Sequence, residues 1–251
     1  MSTPKAILFL GATGGCGLSA LRRSLSAGHI CIALCRTPSK LSDKIPAELQ
    51  GNLRIEQGNA HDASALARCL AHPTNPGSLV DAVLFSIGGA FQASKFALDD
   101  PTVCQRGMAA LLDALSQTRS PQHDGGPLAG RPRVIAISTT GITAAGRDVP
   151  LLFVPMYHIV LKGPHKDKKA MEALLTGSDE DWTVVRPSLL TDGAETTTPI
   201  RAGAEDVVAG KAESQAVGYT ISREDVGKWI FENLIEEKDA SWVRKAATVT
   251  Y

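Results

Sequence analysis

Residues 8–18 read Leu8-Phe9-Leu10-Gly11-Ala12-Thr13-Gly14-Gly15-Cys16-Gly17-Leu18, an apolar run that leads into a glycine-rich turn. The apolar residues 5–10 predict a buried strand, and the segment 14–27 predicts a helix. A strand, a turn with glycines at 11, 14 and 17, and a helix in this order are the context of a dinucleotide-binding turn. The sequence therefore predicts that this turn holds the pyrophosphate of a nicotinamide dinucleotide.

Each of the three glycines has a separate physical purpose in such a turn. Gly11 permits the tight exit from the strand, Gly14 lets the backbone approach the pyrophosphate, and Gly17 lets the helix pack close to the sheet. Free N–H groups in the first turn of the helix then meet the anion. A tight turn without any ligand is the alternative. The predicted loop comprises Gly11, Ala12, Thr13, Gly14, Gly15, Cys16 and Gly17.

Further apolar runs alternate with amphipathic segments, which is typical of a parallel sheet covered on both faces. The chain has 251 residues and ordinary globular composition, so we expect one domain over residues 1–251. The fold class predicted is α/β: a Rossmann-type, doubly wound, mostly parallel sheet with helices on both faces and a small C-terminal substrate-covering region. Strands are predicted at 5–10, 29–35, 53–57, 82–86, 133–138 and 182–186, with helices at 14–27, 62–71, 101–117, 166–176 and 222–236.

Two later segments carry less regular patterns. Residues 187–215 lack periodicity and follow the sixth strand, at the sheet end where ligands bind in such folds. They are predicted to form a lid over the substrate, with a plain surface loop as the alternative. Residues 246–251 alternate β-branched and small side chains and are predicted to close the sheet as an edge strand.

The charge balance limits the partners. Lys plus Arg (26) equals Asp plus Glu (26), which gives no electrostatic footprint for nucleic acid or anionic lipid. Apolar runs are too short to span a bilayer. The five cysteines form no CxxC or zinc-type pattern, so we expect reduced, mostly buried thiols and no metal. A cytoplasmic protein, monomeric or weakly dimeric, with a small-molecule substrate is therefore expected.

The second predicted strand indicates which dinucleotide is bound. NAD-specific sites place Asp or Glu near its end, whereas residues 33–40 read ALCRTPSK and contain no carboxylate. Arg36 can hold a 2′-phosphate through its planar guanidinium, and Lys40 adds a second charge. NADP(H) is the predicted cofactor. Two solvated surface cations are the alternative.

Five motifs are spread along almost the whole chain: GATGGCG at 11–17, Arg36, Gly58-Asn59-Ala60-His61-Asp62, Ser86-Ile87-Gly88-Gly89 and Trp182-Thr183-Val184-Val185-Arg186-Pro187. In this order they resemble atypical short-chain dehydrogenases/reductases, and the NmrA-like and biliverdin-reductase-B-like group is most similar. This resemblance implies an NADPH-binding Rossmann domain. It also implies that Asn59 and Ala60 flank the adenine, that Ser86, Ile87, Gly88 and Gly89 line the central ribose and phosphates, and that Ser138, Thr139 and Thr140 lie beside the nicotinamide. Pro187 ends the sixth strand, and the resemblance implies that Ser188, Leu189 and Leu190 after it pass behind the cofactor.

The resemblance breaks at the catalytic residues. The better-known members use a Tyr four residues before a Lys, which lowers the pKa of the Tyr so that it can transfer a proton. Lys168 matches that Lys and would bind the nicotinamide ribose, with a solvated cation as the alternative. The residue four before it is Pro164, which has no proton to give.

Three other side chains are therefore candidate proton donors: Tyr157, His158 and His165. Each has a plain alternative as a packing or surface residue. Ser138, at the end of the fifth predicted strand, is expected to bind a substrate carbonyl, although it could instead bond to neighbouring backbone.

The expected function is an NADPH-dependent oxidoreductase that reduces a carbonyl or conjugated enone of a small to mid-sized organic substrate. Two alternatives remain open. The first is an NADP(H)-sensing regulator of NmrA type without turnover, and the second is a non-redox isomerase or cyclase on the same fold.

Overall fold

The computed structural model describes residues 3–89, 91–92, 97–122, 125–154, 161–237 and 240–251. The strands are β1 Ala6–Leu10, β2 Ile30–Cys35, β3 Leu53–Gln57, β4 Ala82–Phe85, β5 Phe91–Gln92, β6 Ala97–Leu98, β7 Arg133–Ile137, β8 Asp181–Pro187, β9 Leu189–Thr191, β10 Arg201–Asp206, β11 Lys211–Ala212, β12 Thr220–Ser222 and β13 Lys245–Thr250. The α-helices are α1 Gly15–Ser26, α2 Ser39–Ser42, α3 Ala63–Leu70, α4 Val103–Arg119, α5 Lys162–Thr176 and α6 Arg223–Ile230, which continues as a π-helix over Phe231–Glu236.

Nine strands form the main sheet, in the order β11-β10-β13-β8-β7-β4-β1-β2-β3. All neighbours from β13 to β3 are parallel. One apolar core lies between the sheet and α3, α4 and α5, and a second lies between the opposite face and α1 and α6. The central strands are apolar throughout because both of their faces are covered. The predicted α/β Rossmann-type fold is confirmed.

The position of β1 determines where a ligand can bind. It pairs with β2 on one side and β4 on the other, so the connections that leave β1 and β4 diverge to opposite faces of the sheet. Such a switch point opens a crevice at the carboxyl ends of the two strands. The glycine-rich loop lies at this crevice.

The edge-strand prediction for residues 246–251 is wrong. Residues 246–250 belong to β13, which lies inside the sheet between β8 and β10. The edge is formed instead by β10 and β11, both from the segment 187–215, which therefore contains regular strands. Their Ala and Gly residues have weak strand propensity, so the strands are not evident from the sequence. At Gly203 in β10 a Cβ would lie 2.6 Å from the backbone nitrogen of Ala216, which explains why glycine is needed there.

The helix ends follow ordinary capping chemistry. The Asp62 carboxylate accepts from the backbone N–H groups of Ser64 and Ala65, and the Ser222 hydroxyl accepts from that of Asp225. Helix α5 begins at Lys162, four residues before the predicted start, and Pro164 lies in its first turn, where an N–H is not needed. Within the described residues, we find no helix whose length and hydropathy would let it cross a bilayer.

A buried ionic cluster joins α5, β8 and β10. The Arg186 guanidinium donates to both carboxylate oxygens of Glu172, at 3.1 and 2.7 Å, and to Glu205 at 2.7 Å. Burial alone would lower the pKa of Arg186, but the two carboxylates outweigh it and raise that pKa. A single cation therefore compensates two buried acids, and it fixes the far edge of the sheet against α5.

We expect Arg186→Met to lower the free energy of unfolding by about 3–5 kcal/mol near neutral pH, because Glu172 and Glu205 lose their cation. Urea unfolding at about pH 7.5 measures the loss.

Lys245→Met is the matched control, since it removes an exposed ion pair with Glu213 on the adjoining strand. Its cost should stay within about 1 kcal/mol. A loss for Arg186→Met no larger than that for Lys245→Met would contradict the role of Arg186 in this cluster.

Candidate functional site

The glycine-rich loop packs directly on the end of β4. Gly11 has φ +88°, and a Cβ there would lie 2.6 Å from the Ser86 carbonyl oxygen. A Cβ at Gly17 would lie 2.2 Å from Ser86 Oγ and 2.7 Å from the Gly11 oxygen. The Ser86 hydroxyl donates to the carbonyls of Leu10 and Gly11, at 3.1 and 3.0 Å. Glycine is therefore required at both positions by contact with β4.

The beginning of α1 is open toward the crevice. Gly14 is its N-cap, with extended backbone (φ −177°), no capping side chain and no acid in the first turn of the helix. Nothing described lies within 4 Å of a Cβ placed on Gly14. Burial raises the pKa of the Cys16 thiol to about 12, so no thiolate adds negative charge to this loop. Free N–H groups at the positive end of a helix and space beside glycine fit the diphosphate of a dinucleotide.

Cations lie where the ribose phosphate of NADP would be expected. Arg36 directly follows β2 and Lys40 lies on α2, and both are exposed. The Lys44 ammonium donates to the carbonyl of Thr13, at 2.6 Å, and so adds a third cation beside the loop. We did not predict Lys44 from the sequence, although its place four residues after Lys40 was a usable signal.

The predicted adenine-side residues lie next to this basic group. The backbone N–H of Gly58 donates to the Cys35 carbonyl at the end of β2, which places Asn59 and Ala60 beside that strand end. The Asn59 side chain accepts from the backbone of His61 and thereby shapes the turn into α3.

A second set of predicted residues meets at the ends of β4 and β7. The Lys168 ammonium donates to the Ile87 carbonyl at 3.0 Å and to the Ile137 carbonyl at 2.7 Å, and it thereby bridges the two strand ends. Ser138 follows Ile137 and is buried, and its hydroxyl has no hydrogen-bond partner within the described residues. An unpartnered buried hydroxyl is costly and is often explained by a ligand.

The remaining predicted residues surround this set. Gly88 is exposed after Ile87, and Thr139 is half-buried with its hydroxyl donating to the Thr140 carbonyl. The chain at 187–189 lies beside it, because the Pro187 carbonyl accepts from the backbone of Thr140. Ser188 pairs its hydroxyl with Thr250, and Leu189 begins β9.

The candidate proton donors divide into two groups. Tyr157 and His158 fall in residues 155–160, outside the described part of the chain. His165 is buried on α5, one turn before Lys168, and residues at this spacing share one side of a helix. Pro164 directly precedes it, so the position of the missing Tyr lies on the first turn of the helix.

Asp167 directly precedes Lys168 and was not predicted. Its buried carboxylate accepts from the backbone N–H groups of Cys104 and Gln105, both at 2.9 Å, and so caps α4 from α5. The Cys104 thiol donates to the Ile87 carbonyl at 3.3 Å, and the same carbonyl accepts from the Lys168 ammonium. The beginning of α4 and Lys168 are therefore linked through Ile87.

A small cavity of about 20 Å³ lies between the loop after β7 and the hairpin β10–β11. It is lined by Thr143, Asp148, Glu205 and Gln215 among others. Asp148 accepts from the backbone N–H of Gly141, and burial raises the pKa of its carboxyl. Part of the segment 187–215 thus forms one wall of this cavity.

Comparison with known proteins places the chain in a family. A family model described as NAD(P)H-binding matches residues 11–237. The chain is 38% identical to Reductase pytE of Aspergillus terreus and 33% identical to Oxidase pynE of Aspergillus niger, in each case over 100% of this chain and 99% of the relative. A short-chain dehydrogenase/reductase from Veillonella parvula, solved with NADP, has a TM-score of 0.69 at 20% identity and covers 99% of this chain and 95% of its own.

The chain belongs to the family of NAD(P)H-binding proteins and is an oxidoreductase. Its resemblance to atypical short-chain dehydrogenases/reductases is confirmed. The glycine loop and the open beginning of α1 described above fall inside the region that the family model matches.

We expect Gly14→Ala to weaken dinucleotide binding by about tenfold or more, because the new methyl group occupies space that the backbone leaves beside the phosphates. Stability should change by about 1 kcal/mol at most, since extended backbone accepts alanine and no described atom lies near the new Cβ. Calorimetric titration and thermal unfolding measure the two quantities.

Gly51→Ala is the matched control, since it also adds a methyl group in open space but lies away from the crevice. It should change neither quantity. Unaltered cofactor affinity in Gly14→Ala would count against this loop as the diphosphate site.

Proposed function

We propose that the protein is an NADPH-dependent reductase acting on a carbonyl or conjugated enone of a small to mid-sized organic substrate. The observation that carries this proposal is the buried Ser138 hydroxyl, which has no partner within the described residues and lies at the same strand ends as Lys168. A hydroxyl in this place can donate to a substrate oxygen. The names reductase and oxidase among its relatives support redox chemistry.

NADP(H) is the proposed cofactor because of the charges that follow β2. Arg36, Lys40 and Lys44 are cations, and residues 33–40 hold no carboxylate that would repel a 2′-phosphate. An arginine guanidinium binds phosphate through two parallel hydrogen bonds. The NADP complex of the Veillonella parvula protein supports the same choice.

The proposed mechanism assigns a task to each side chain. When bound, NADPH supplies the hydride that adds to the electrophilic carbon of the substrate. Ser138 donates a hydrogen bond to the substrate oxygen, where negative charge develops, and this stabilises the transition state. Lys168 keeps the ends of β4 and β7 in register and places a positive charge close to Ser138. The oxygen then takes a proton from Tyr157, His158, His165 or water.

The residues of the segment 187–215 that precede β10 are proposed to cover the substrate. They continue from β8 at the carboxyl end of the sheet, where ligands bind in such folds. We further propose a monomer or weak homodimer in the cytoplasm. The five cysteines are buried and unpaired, which agrees with a reducing compartment.

Arg36→Ala should weaken NADPH binding by about tenfold or more, because a charge-assisted bond to the 2′-phosphate is lost. NADH lacks this phosphate, so its affinity should barely change. Calorimetric titration with both cofactors tests the prediction. Arg54→Ala serves as the control, since it removes an exposed arginine from the neighbouring strand β3. Equal affinity of the unmutated protein for both cofactors would refute the NADP(H) preference.

Ser138→Ala should lower kcat by about a hundredfold while NADPH affinity stays intact, because the lost donor acts on the developing negative charge. Ser24→Ala changes a buried serine on α1 that bonds to its own helix. It is the control and should leave kcat unchanged.

Tyr157→Phe tests the proton donor. A loss of about a hundredfold would assign the proton to Tyr157, and a loss below about tenfold would assign it to another donor.

The proposed function itself is tested by NADPH oxidation in the presence of a panel of ketones, aldehydes and enones. Steady oxidation that depends on one of these acceptors is expected. Tight NADPH binding without oxidation by any acceptor would contradict the proposal. It would favour the NADP(H)-sensing regulator or the non-redox isomerase. The observation that supports these alternatives is Pro164 in place of the Tyr.

A further inference from the structure

We propose that Arg223 binds the diphosphate of the dinucleotide and that Asp192 occupies its guanidinium when no cofactor is bound. The proposal rests on the dinucleotide site described above and adds a residue from the far end of the chain to it. Arg223 opens α6, more than 200 residues after the glycine loop. No feature of the sequence near Arg223 indicates a nucleotide site.

The Arg223 side chain lies beside the first residue of α1. A Cβ placed on Gly15 would lie 3.4 Å from Arg223 Cδ and 3.9 Å from its Nε. Gly15 is the first residue of α1, so the arginine side chain crosses beside the free N–H groups of that helix. Its charge is also felt inside the loop, because Arg223 opposes the burial that raises the pKa of Cys16.

The backbone that carries Arg223 is fixed against α1. The Ser19 hydroxyl on α1 donates to the Glu224 carbonyl at 3.0 Å, and a Cβ on Gly227 would lie 2.4 Å from Ser19. Helices α1 and α6 are therefore in close contact next to Arg223 and one turn after it. The backbone of Arg223 is thus already placed beside the loop that would hold the ligand.

Electrostatics also favour an anion between Arg223 and the beginning of α1. The first turn of α1 has no acidic residue, and its N-terminus carries the positive end of the helix dipole. An arginine beside that end adds like charge, which is unfavourable unless an anion lies between them. A diphosphate is such an anion, and it is the group that the glycine loop is built to approach.

Asp192 holds the guanidinium in the structure. Its carboxylate accepts from Arg223 at 2.7 Å, but its side chain is 93% exposed. Such an exposed pair is weak and can be exchanged for a phosphate group. The rest of the same loop is fastened elsewhere, since Glu195 pairs with Arg23 and Lys228, and Thr196 bonds to Asp225. Release of Asp192 therefore leaves the loop attached.

The test compares three probes by calorimetric titration: NADPH, NADH and adenosine 2′-phosphate, which has no diphosphate. Arg223→Met should raise the Kd of NADPH and of NADH by the same factor, about tenfold or more, and leave that of adenosine 2′-phosphate unchanged. Arg36→Ala should instead raise the Kd of NADPH and of adenosine 2′-phosphate and leave that of NADH unchanged. Asp192→Asn should lower both dinucleotide Kd values by about 1.5- to fivefold, because a competing carboxylate is removed.

Arg23→Met is the matched control: it removes an ion pair to the same loop at the other end of α1 and should change no Kd. Should Arg223→Met not fold, Arg223→Lys carries the test, with an expected rise of about threefold for both dinucleotides. Unchanged dinucleotide affinity in the variant that folds, or a loss confined to NADPH, would overturn the role of Arg223. Weaker binding in Asp192→Asn would overturn the role of Asp192.

The role of Arg223 can be tested whether or not the proposed reductase activity is found. If the unmutated protein binds NADPH but reduces no acceptor, the reductase proposal fails and the Arg223 comparison is still decisive. If NADPH and NADH bind equally, the cofactor preference fails, yet both should weaken together in Arg223→Met.

Discussion

The site depends on the contact between the glycine loop and the end of β4. Gly11 and Gly17 both lie so close to Ser86 that neither position has room for a side chain. This contact closes the turn after β1 and brings α1 against the sheet at the switch point between β1 and β4. The free N–H groups of α1 then face the crevice. Three cations can act on an anion bound there: Arg36 and Lys44 from one side and Arg223 from the other.

Helix α5 organises the opposite end of the site through three polar side chains. Asp167 caps α4, Lys168 bridges the ends of β4 and β7, and Glu172 holds Arg186. Each contact joins α5 to a different part of the fold, so the helix is fixed in position where Ser138 lies. Pro164 lies on this helix where the resemblance places a Tyr, while the contacts around Ser138 are made by other residues.

The elements and caps that were predictable from sequence depend on local patterns. The β1 strand, the glycine turn and α1 are contiguous, and the caps at Asp62 and Ser222 need only residues two or three positions away. The interior position of β13 was missed because the residues of a strand do not determine which other strands pair with it. Asp167 and Arg223 were missed for a related reason: their partners, Cys104 and Gly15, are 63 and more than 200 residues distant along the chain.

The central claim is that this crevice transfers a hydride from NADPH to a carbonyl or enone carbon. The most direct measurement uses NADPH deuterated at C4 of the nicotinamide, in single-turnover reactions with accepted substrates, and follows the label by mass spectrometry. The account predicts one deuterium on the carbonyl carbon or on the β-carbon of the enone. Product that carries no deuterium from either face of the labelled cofactor would contradict it.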